Sequence, residues 1–86
     1  MLENEELEAL EVAHVVDARA SACPGPLLEA KKGIADVRMG EVLEVRSSDQ
    51  GTRKDIPIWA TKVGHEFLGV LEAPEGYDRL FVRRGK

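Results

Sequence analysis

The order of strand-like and helix-like segments constrains the fold of this chain more than any other feature of its sequence. From residue 12 onward, four short segments rich in β-branched or alternating apolar residues are separated by stretches with apolar residues at helical spacing. The strand-like segments are VAHVVDA, EVLEVRS, HEFLGVLEA and DRLFVRR, and the first helix-like segment is PLLEAKKGIADV. This order predicts a two-layer α+β sandwich, βαβαββ, with a mixed four-stranded sheet and two helices on one face.

Pro57 limits the second predicted helix. A proline ring clashes with the preceding helical turn and has no N–H to donate. We therefore expect a short turn over residues 52–55 and then a helix that begins near Pro57 and ends at Gly64. The last two strands are separated by the turn sequence PEGY, which predicts an antiparallel hairpin.

The charge of the chain divides it into two parts. Residues 1–11 hold five of the sixteen acidic residues and no basic residue, whereas residues 12–86 carry twelve basic and eleven acidic residues. We therefore expect a flexible acidic tail over residues 1–11, in which Leu7 and Leu10 could support a frayed helical turn, and one folded domain over residues 12–86. Because this domain is nearly neutral and has few aromatic residues, direct binding of nucleic acid is not expected.

The compartment is predicted from the apolar segments and the cysteine content. No apolar run is long enough to span a membrane, and the acidic N-terminus does not resemble a signal peptide. A single cysteine forms no internal disulfide, and one cysteine with two histidines forms no metal site without carboxylates. We expect a cytoplasmic protein with a free thiol, no metal and no membrane partner.

The only cysteine, Cys23, lies in the sequence SACPGPLLEA. Because the residue before a proline avoids the helical region and Pro24 suits the first helical position, Cys23 is expected to be the N-cap of the first helix. There the positive end of the helix dipole would lower the pKa of the thiol. Gly25 leaves space for another molecule to reach the sulfur, and Pro26 stiffens the loop. The alternative is that Cys23 is a packed, unreactive residue.

Several motifs resemble those of the TusA/SirA-like family of small sulfur-carrier proteins. They are the segment from Asp17 through CPGP, Gly40, the run DQGTRKDIP and the pair GH at residues 64–65, and the resemblance extends from Val12 almost to the C-terminus. It implies a βαβαββ sandwich whose CPxP cysteine carries sulfur as a persulfide.

The resemblance also implies a site and partners. Cys23 would accept sulfane sulfur from a cysteine desulfurase or a rhodanese-like donor and pass it to a cysteine of an acceptor protein, without a cofactor. In this family the sulfur serves tRNA thiolation, cofactor synthesis or sulfur oxidation. Pro24 and Pro26 would shape the site. Ala22 and Gly25 depart from residues common in the family, at positions where a partner would make contact.

The loops after the first two strands are expected at the carboxyl edge of the sheet, where open sheets bind ligands. This would place Arg53 and Lys54 near Cys23, where they could contact a persulfide anion or an acidic partner. Asp49, Thr52 and Asp55 are interpreted as turn and capping residues.

The alternative function is a non-catalytic regulatory or interaction module. In that case Cys23 is structural, and a partner binds the open face of the sheet through Phe81 or Phe67.

Overall fold

The computed structural model describes residues 2–20 and 25–86, and Cys23 and Pro24 lie outside the described residues. The described elements are α1 (Asn4–Glu8), β1 (Val12–Asp17), α2 (Gly25–Gly33), a short 3-10 helix (Ile34–Asp36), β2 (Val42–Ser47), α3 (Thr52–Val63), β3 (Glu66–Glu72) and β4 (Asp78–Arg83). From β1 onward the order confirms the predicted βαβαββ arrangement.

The four strands form one mixed sheet in the order β1-β2-β4-β3. β1 pairs with β2 in parallel, and β4 pairs antiparallel with both β2 and β3. It follows that β1, β2 and β3 all run in one direction, and that α2 and α3 each connect two strands of that direction. The predicted mixed sheet and the hairpin of β3 and β4 are confirmed.

The main core lies between the sheet and the two longer helices, α2 and α3. Small residues let these helices approach the sheet closely: Ala30 and Ala60 are fully buried, and a Cβ atom on Gly33 would lie 2.4 Å from the side chain of Val16. The core also includes Ala18, Val37, Leu43, Val45, Ile56, Trp59, Leu80 and Val82. Both predicted helices therefore lie on one face of the sheet.

Helix α3 begins earlier than the sequence indicated. It extends over Thr52–Val63 with Pro57 inside it, so the prediction of a separate turn over residues 52–55 is wrong. Pro57 lies in the middle of this 12-residue helix, and its missing N–H removes one helical hydrogen bond there. The buried side chains of Ile56 and Trp59 hold both sides of the proline against the sheet. The predicted end is confirmed, because Gly64 has the left-handed conformation of a C-cap.

The opposite face of the sheet is covered by the N-terminal segment, which the sequence analysis interpreted as a tail. Leu7 of α1 is 2% exposed and packs with Val42, Leu68, Leu71 and Phe81. The expectation of an open face that binds a partner through Phe81 is therefore wrong, because Phe81 is fully buried under this helix. Phe67 packs against the main core on the other face.

Candidate functional site

Three loops meet at the edge of the sheet where β1 and β2 end. Ala20 after β1, Ser48 after β2 and the turn between β3 and β4 line one open pocket of about 500 Å³. Its full lining among the described residues is Asp17, Arg19, Ala20, Ser48, Glu75, Gly76 and Tyr77. The expectation that the first two loops share the carboxyl edge is thus confirmed for their described residues.

The described residues on either side of the CPGP cysteine are held by the fold. The backbone N–H of Ala18 donates to the carbonyl of Arg46 at 2.9 Å, which continues the pairing of β1 with β2. On the other side, α2 begins at the half-buried Gly25, and Pro26 is buried. The predicted N-cap role of Cys23 and the predicted first helical position of Pro24 fall outside the described residues. The polypeptide that carries the thiol therefore connects two anchored positions.

Arg19 links the end of β1 to the turn between β3 and β4. Its Nε and Nη2 atoms donate to the carboxylate of Asp17 at 2.8 and 2.7 Å, and its guanidinium lies 4.8 Å from the centre of the Tyr77 ring. The hydrogen bonds from Arg19 lower the pKa of Asp17 to about 2. Neither Arg19 nor Tyr77 was among the predicted site residues. The sequence DAR at the end of β1 indicates the contact between Arg19 and Asp17. Nothing in the neighbouring sequence indicates the contact between Arg19 and Tyr77.

The loop between β2 and α3 is fixed by its own side chains. The hydroxyls of Ser47 and Thr52 are 2.7 Å apart, and the carboxylate of Asp49 accepts a hydrogen bond from the N–H of Gly51 at 2.8 Å. Ser47 also accepts from the N–H of Asp49 at 3.0 Å. These contacts support the interpretation of Asp49 and Thr52 as turn residues, whereas the N-cap of α3 is Gly51 and makes no side-chain cap.

The two basic residues of this loop have different surroundings. Arg53 donates two hydrogen bonds to Asp78 and one to Glu72, and these carboxylates raise its pKa above its already high ordinary value. Lys54 is exposed and makes no ion pair within the described part of the chain. Arg53 therefore joins α3 to the hairpin, and Lys54 presents its charge to solvent.

Both histidines make structural contacts near the opposite edge of the sheet. His14 Nε2 lies 3.6 Å from Asp36, and His65 Nδ1 accepts a hydrogen bond from the N–H of Gly85 at 3.0 Å. Among residues 2–20 and 25–86, no three metal-ligating side chains come together, and no helix there is long and apolar enough to cross a membrane. Among the described residues, the side chains that line the carboxyl edge beside the CPGP segment therefore offer hydroxyl, carboxylate and cationic groups.

Comparisons with known proteins agree on one family. The family model described as sulfurtransferase TusA matches residues 14–84. A candidate sulfur carrier protein from Archaeoglobus fulgidus is 51% identical over 72 residues, which are 84% of this chain and 97% of that protein. The sulfur carrier protein TusA of Pseudomonas savastanoi pv. phaseolicola is 32% identical over 81 residues, covering 94% of this chain and 95% of its own.

A solved structure supports the fold independently. The crystal structure of a SirA-like protein from Desulfitobacterium hafniense has a TM-score of 0.73 to this chain at 24% identity, and it covers 85% of this chain and 99% of its own. The family match contains the CPGP segment and all of the βαβαββ sandwich except the first two residues of β1. The chain belongs to the TusA family of sulfurtransferases and has the role of a sulfur carrier.

Proposed function

We propose that Cys23 carries sulfur as a persulfide, which it receives from the cysteine persulfide of a donor protein and delivers to a cysteine of an acceptor protein. The observation that carries this proposal is that Cys23 is the only thiol of the chain. It also lies inside the region that matches a sulfurtransferase family. A carrier needs a nucleophile that forms a reversible bond with sulfur, and a cysteine thiolate is such a group.

The proposed loading step is an exchange between sulfur atoms. The thiolate of Cys23 attacks the outer sulfur of the donor's persulfide and forms a new S–S bond. The S–S bond of the donor breaks, and its electron pair leaves on the donor cysteine, which becomes a thiolate. Delivery repeats the same exchange with the acceptor thiolate as the attacking group. No net oxidation occurs, so neither step requires a metal or an organic cofactor.

The surroundings of the CPGP segment support this role. Arg19 and Asp17 hold the chain on one side, and the buried Pro26 holds it on the other. In the sequence Cys23 lies two residues before the start of α2, and the proposed N-cap position would let the helix dipole favour the thiolate and later the persulfide anion. The open pocket lined by Ala20 and Ser48 leaves room for the loop of a partner protein to reach this edge.

The proposed partners are a donor, either a cysteine desulfurase or a rhodanese-like protein, and an acceptor protein with a reactive cysteine. The carrier meets them in turn, so each interface is expected to be small and transient. We place this relay in the cytoplasm, where thiols remain reduced. The sulfur would then serve tRNA thiolation, cofactor synthesis or sulfur oxidation.

A two-step transfer assay tests the proposal. A cysteine desulfurase is supplied with cysteine that contains radioactive sulfur, and the purified carrier is added and then separated on a non-reducing gel. Label is expected on the wild type, absent from Cys23→Ser and released by a thiol reductant. Isolated labelled carrier is then mixed with a thiol-containing acceptor. Label on Cys23→Ser, or a wild type that takes up none, would contradict the proposal.

A further inference from the structure

The N-terminal helix α1 lies on the face of the sheet that α2 and α3 leave uncovered. We propose that α1 is a displaceable cover that keeps this chain monomeric, and that the sheet face beneath it pairs with the same face of a second copy when the cover is removed. This inference does not depend on the sulfur chemistry of Cys23.

The cover is held mainly by Leu7, and the partly buried Leu2 and Leu10 pack beside it. Leu7 is 2% exposed and lies over Gly69, where an added Cβ atom would be only 2.9 Å from Leu7 Cδ1. Phe81, the register partner of Gly69 on the neighbouring strand, is fully buried beside it. The N–H of Leu2 donates to the carbonyl of Leu68 at 2.7 Å, at the point where the pairing of β3 is irregular. The face therefore accommodates a leucine from a short helix.

The cover is separable from the family domain. Helix α1 has only five residues, too few to be stable by itself, and its residues other than Leu7 are exposed. The family match begins at residue 14, after this segment.

The uncovered face has the composition of a self-pairing surface. Without α1, the apolar side chains of Val42, Leu68, Leu71 and Phe81 would form a contiguous exposed patch. Charged residues of both signs border it on the same face: Glu44, Glu66, Arg79 and Arg83. A twofold axis can place the exposed Arg83 of one copy opposite the exposed Glu66 of the other, with the apolar patches at the centre. These features make a second copy the fitting occupant.

The test compares oligomeric states in a Cys23→Ser background, which excludes disulfide-linked dimers. Molar mass is measured by light scattering and sedimentation over a range of concentrations for the full chain, residues 12–86 alone, Leu7→Asp and Glu5→Ser. Glu5→Ser is the control, because Glu5 is an exposed position of the same helix. The full chain and Glu5→Ser are expected to be monomeric, and residues 12–86 and Leu7→Asp are expected to form dimers.

A peptide of residues 1–11 identifies the face involved. Added to residues 12–86, it is expected to convert the dimer to monomer, whereas the same peptide with Leu7→Asp has no effect. Circular dichroism and urea unfolding report whether residues 12–86 remain folded. The proposal is overturned if residues 12–86 stay monomeric while folded, if the peptide leaves the dimer intact, or if the full chain is already dimeric. Loss of folding would also overturn it, since α1 would then be part of the core.

Discussion

The guanidinium of Arg53 and the carboxylate of Asp78 form a two-point contact in which both hydrogen bonds are 2.7 Å long. Arg53 lies in the first turn of α3, and Asp78 is the first residue of β4, 25 positions further along the chain. This pair ties the helix start to the hairpin beside the proposed sulfur site. Arg53 therefore has a structural role, whereas the adjacent Lys54 has its charge exposed to solvent.

Replacement of Arg53 is expected to lower stability more than replacement of Lys54. Arg53→Ala leaves the largely buried carboxylate of Asp78 without its main partner, and we expect the free energy of unfolding to fall by about 1–2 kcal/mol, because Arg53 itself is half exposed. Lys54→Ala is expected to change it by less than about 0.5 kcal/mol. Urea unfolding followed by Trp59 fluorescence measures both. Equal effects would contradict the assignment of Arg53 as a structural residue.

Lys54 is expected to affect the encounter with a partner protein. If its exposed charge contacts an acidic patch of the donor, Lys54→Glu slows sulfur loading several-fold at low ionic strength, and the difference shrinks as salt is added. Lys62→Glu is the matched control, since Lys62 is exposed near the other end of α3. The initial rate of loading by a desulfurase is the measurement. Equal rates for the two variants at low salt would exclude Lys54 as a contact.

Glu44 is expected to be more important for stability than Glu66. The Glu44 side chain is 2% exposed and pairs with Arg79 and Arg46, whereas Glu66 pairs with Arg83 at the surface. Burial alone would raise the pKa of Glu44, but the two arginines outweigh it and the pKa is lowered. Glu44→Gln is therefore expected to cost about 1–3 kcal/mol, against less than about 1 kcal/mol for Glu66→Gln.

The pH dependence of Glu44 follows from the direction of its pKa shift. Because the pKa is lower in the folded state, the stabilisation is complete above the unfolded-state pKa of about 4.3 and is lost as the pH falls through the folded-state value. Urea midpoints between pH 7 and pH 3 are expected to fall less steeply for Glu44→Gln than for wild type. A wild-type slope in that variant would contradict the assignment.

His65 is expected to make stability and Trp59 fluorescence sensitive to mildly acidic pH. The rings of Trp59 and His65 lie 5.5 Å apart, and burial together with Arg84 and Lys86 lowers the pKa of His65. The folded state therefore binds the proton less well than the unfolded state. Stability is complete above about pH 6.5 and declines as the pH falls through the folded-state value.

A fluorescence titration of Trp59, the only tryptophan, checks this expectation. The midpoint should lie below about 6.5, and His65→Gln should abolish the transition. His14→Gln is the control, because His14 contacts Asp36 rather than Trp59. A transition that survives in His65→Gln would assign the titration to another group.

The periodicity of the sequence predicted the sandwich because each strand and each longer helix carries its own apolar pattern. The start of α3 was not predictable in this way. Pro57 opposes a helix locally, and the buried Ile56 and Trp59 outweigh it only once the sheet is present. Helix α1 was expected only as a frayed turn around Leu7 and Leu10, because five residues with one buried leucine give almost no periodic signal.

The site was predictable where chemistry resides in one short motif and not where it depends on distant residues. CPGP marks Cys23 directly in the sequence. The contacts of Arg53 with Asp78 and of Arg19 with Tyr77 join segments that are remote in the chain, so only the fold brings them together. Arg53 was a candidate contact for a persulfide anion or an acidic partner, because the sequence does not show that Asp78 and Glu72 of the hairpin bind it.

The most direct test of sulfur transport on Cys23 is the intact mass of the protein after incubation with a cysteine desulfurase and cysteine, followed by fragmentation to locate the added mass. We predict one added sulfur atom on the wild type, located on the peptide that contains Cys23, and no addition to Cys23→Ser. An unchanged wild-type mass, or the same addition on Cys23→Ser, would contradict the account.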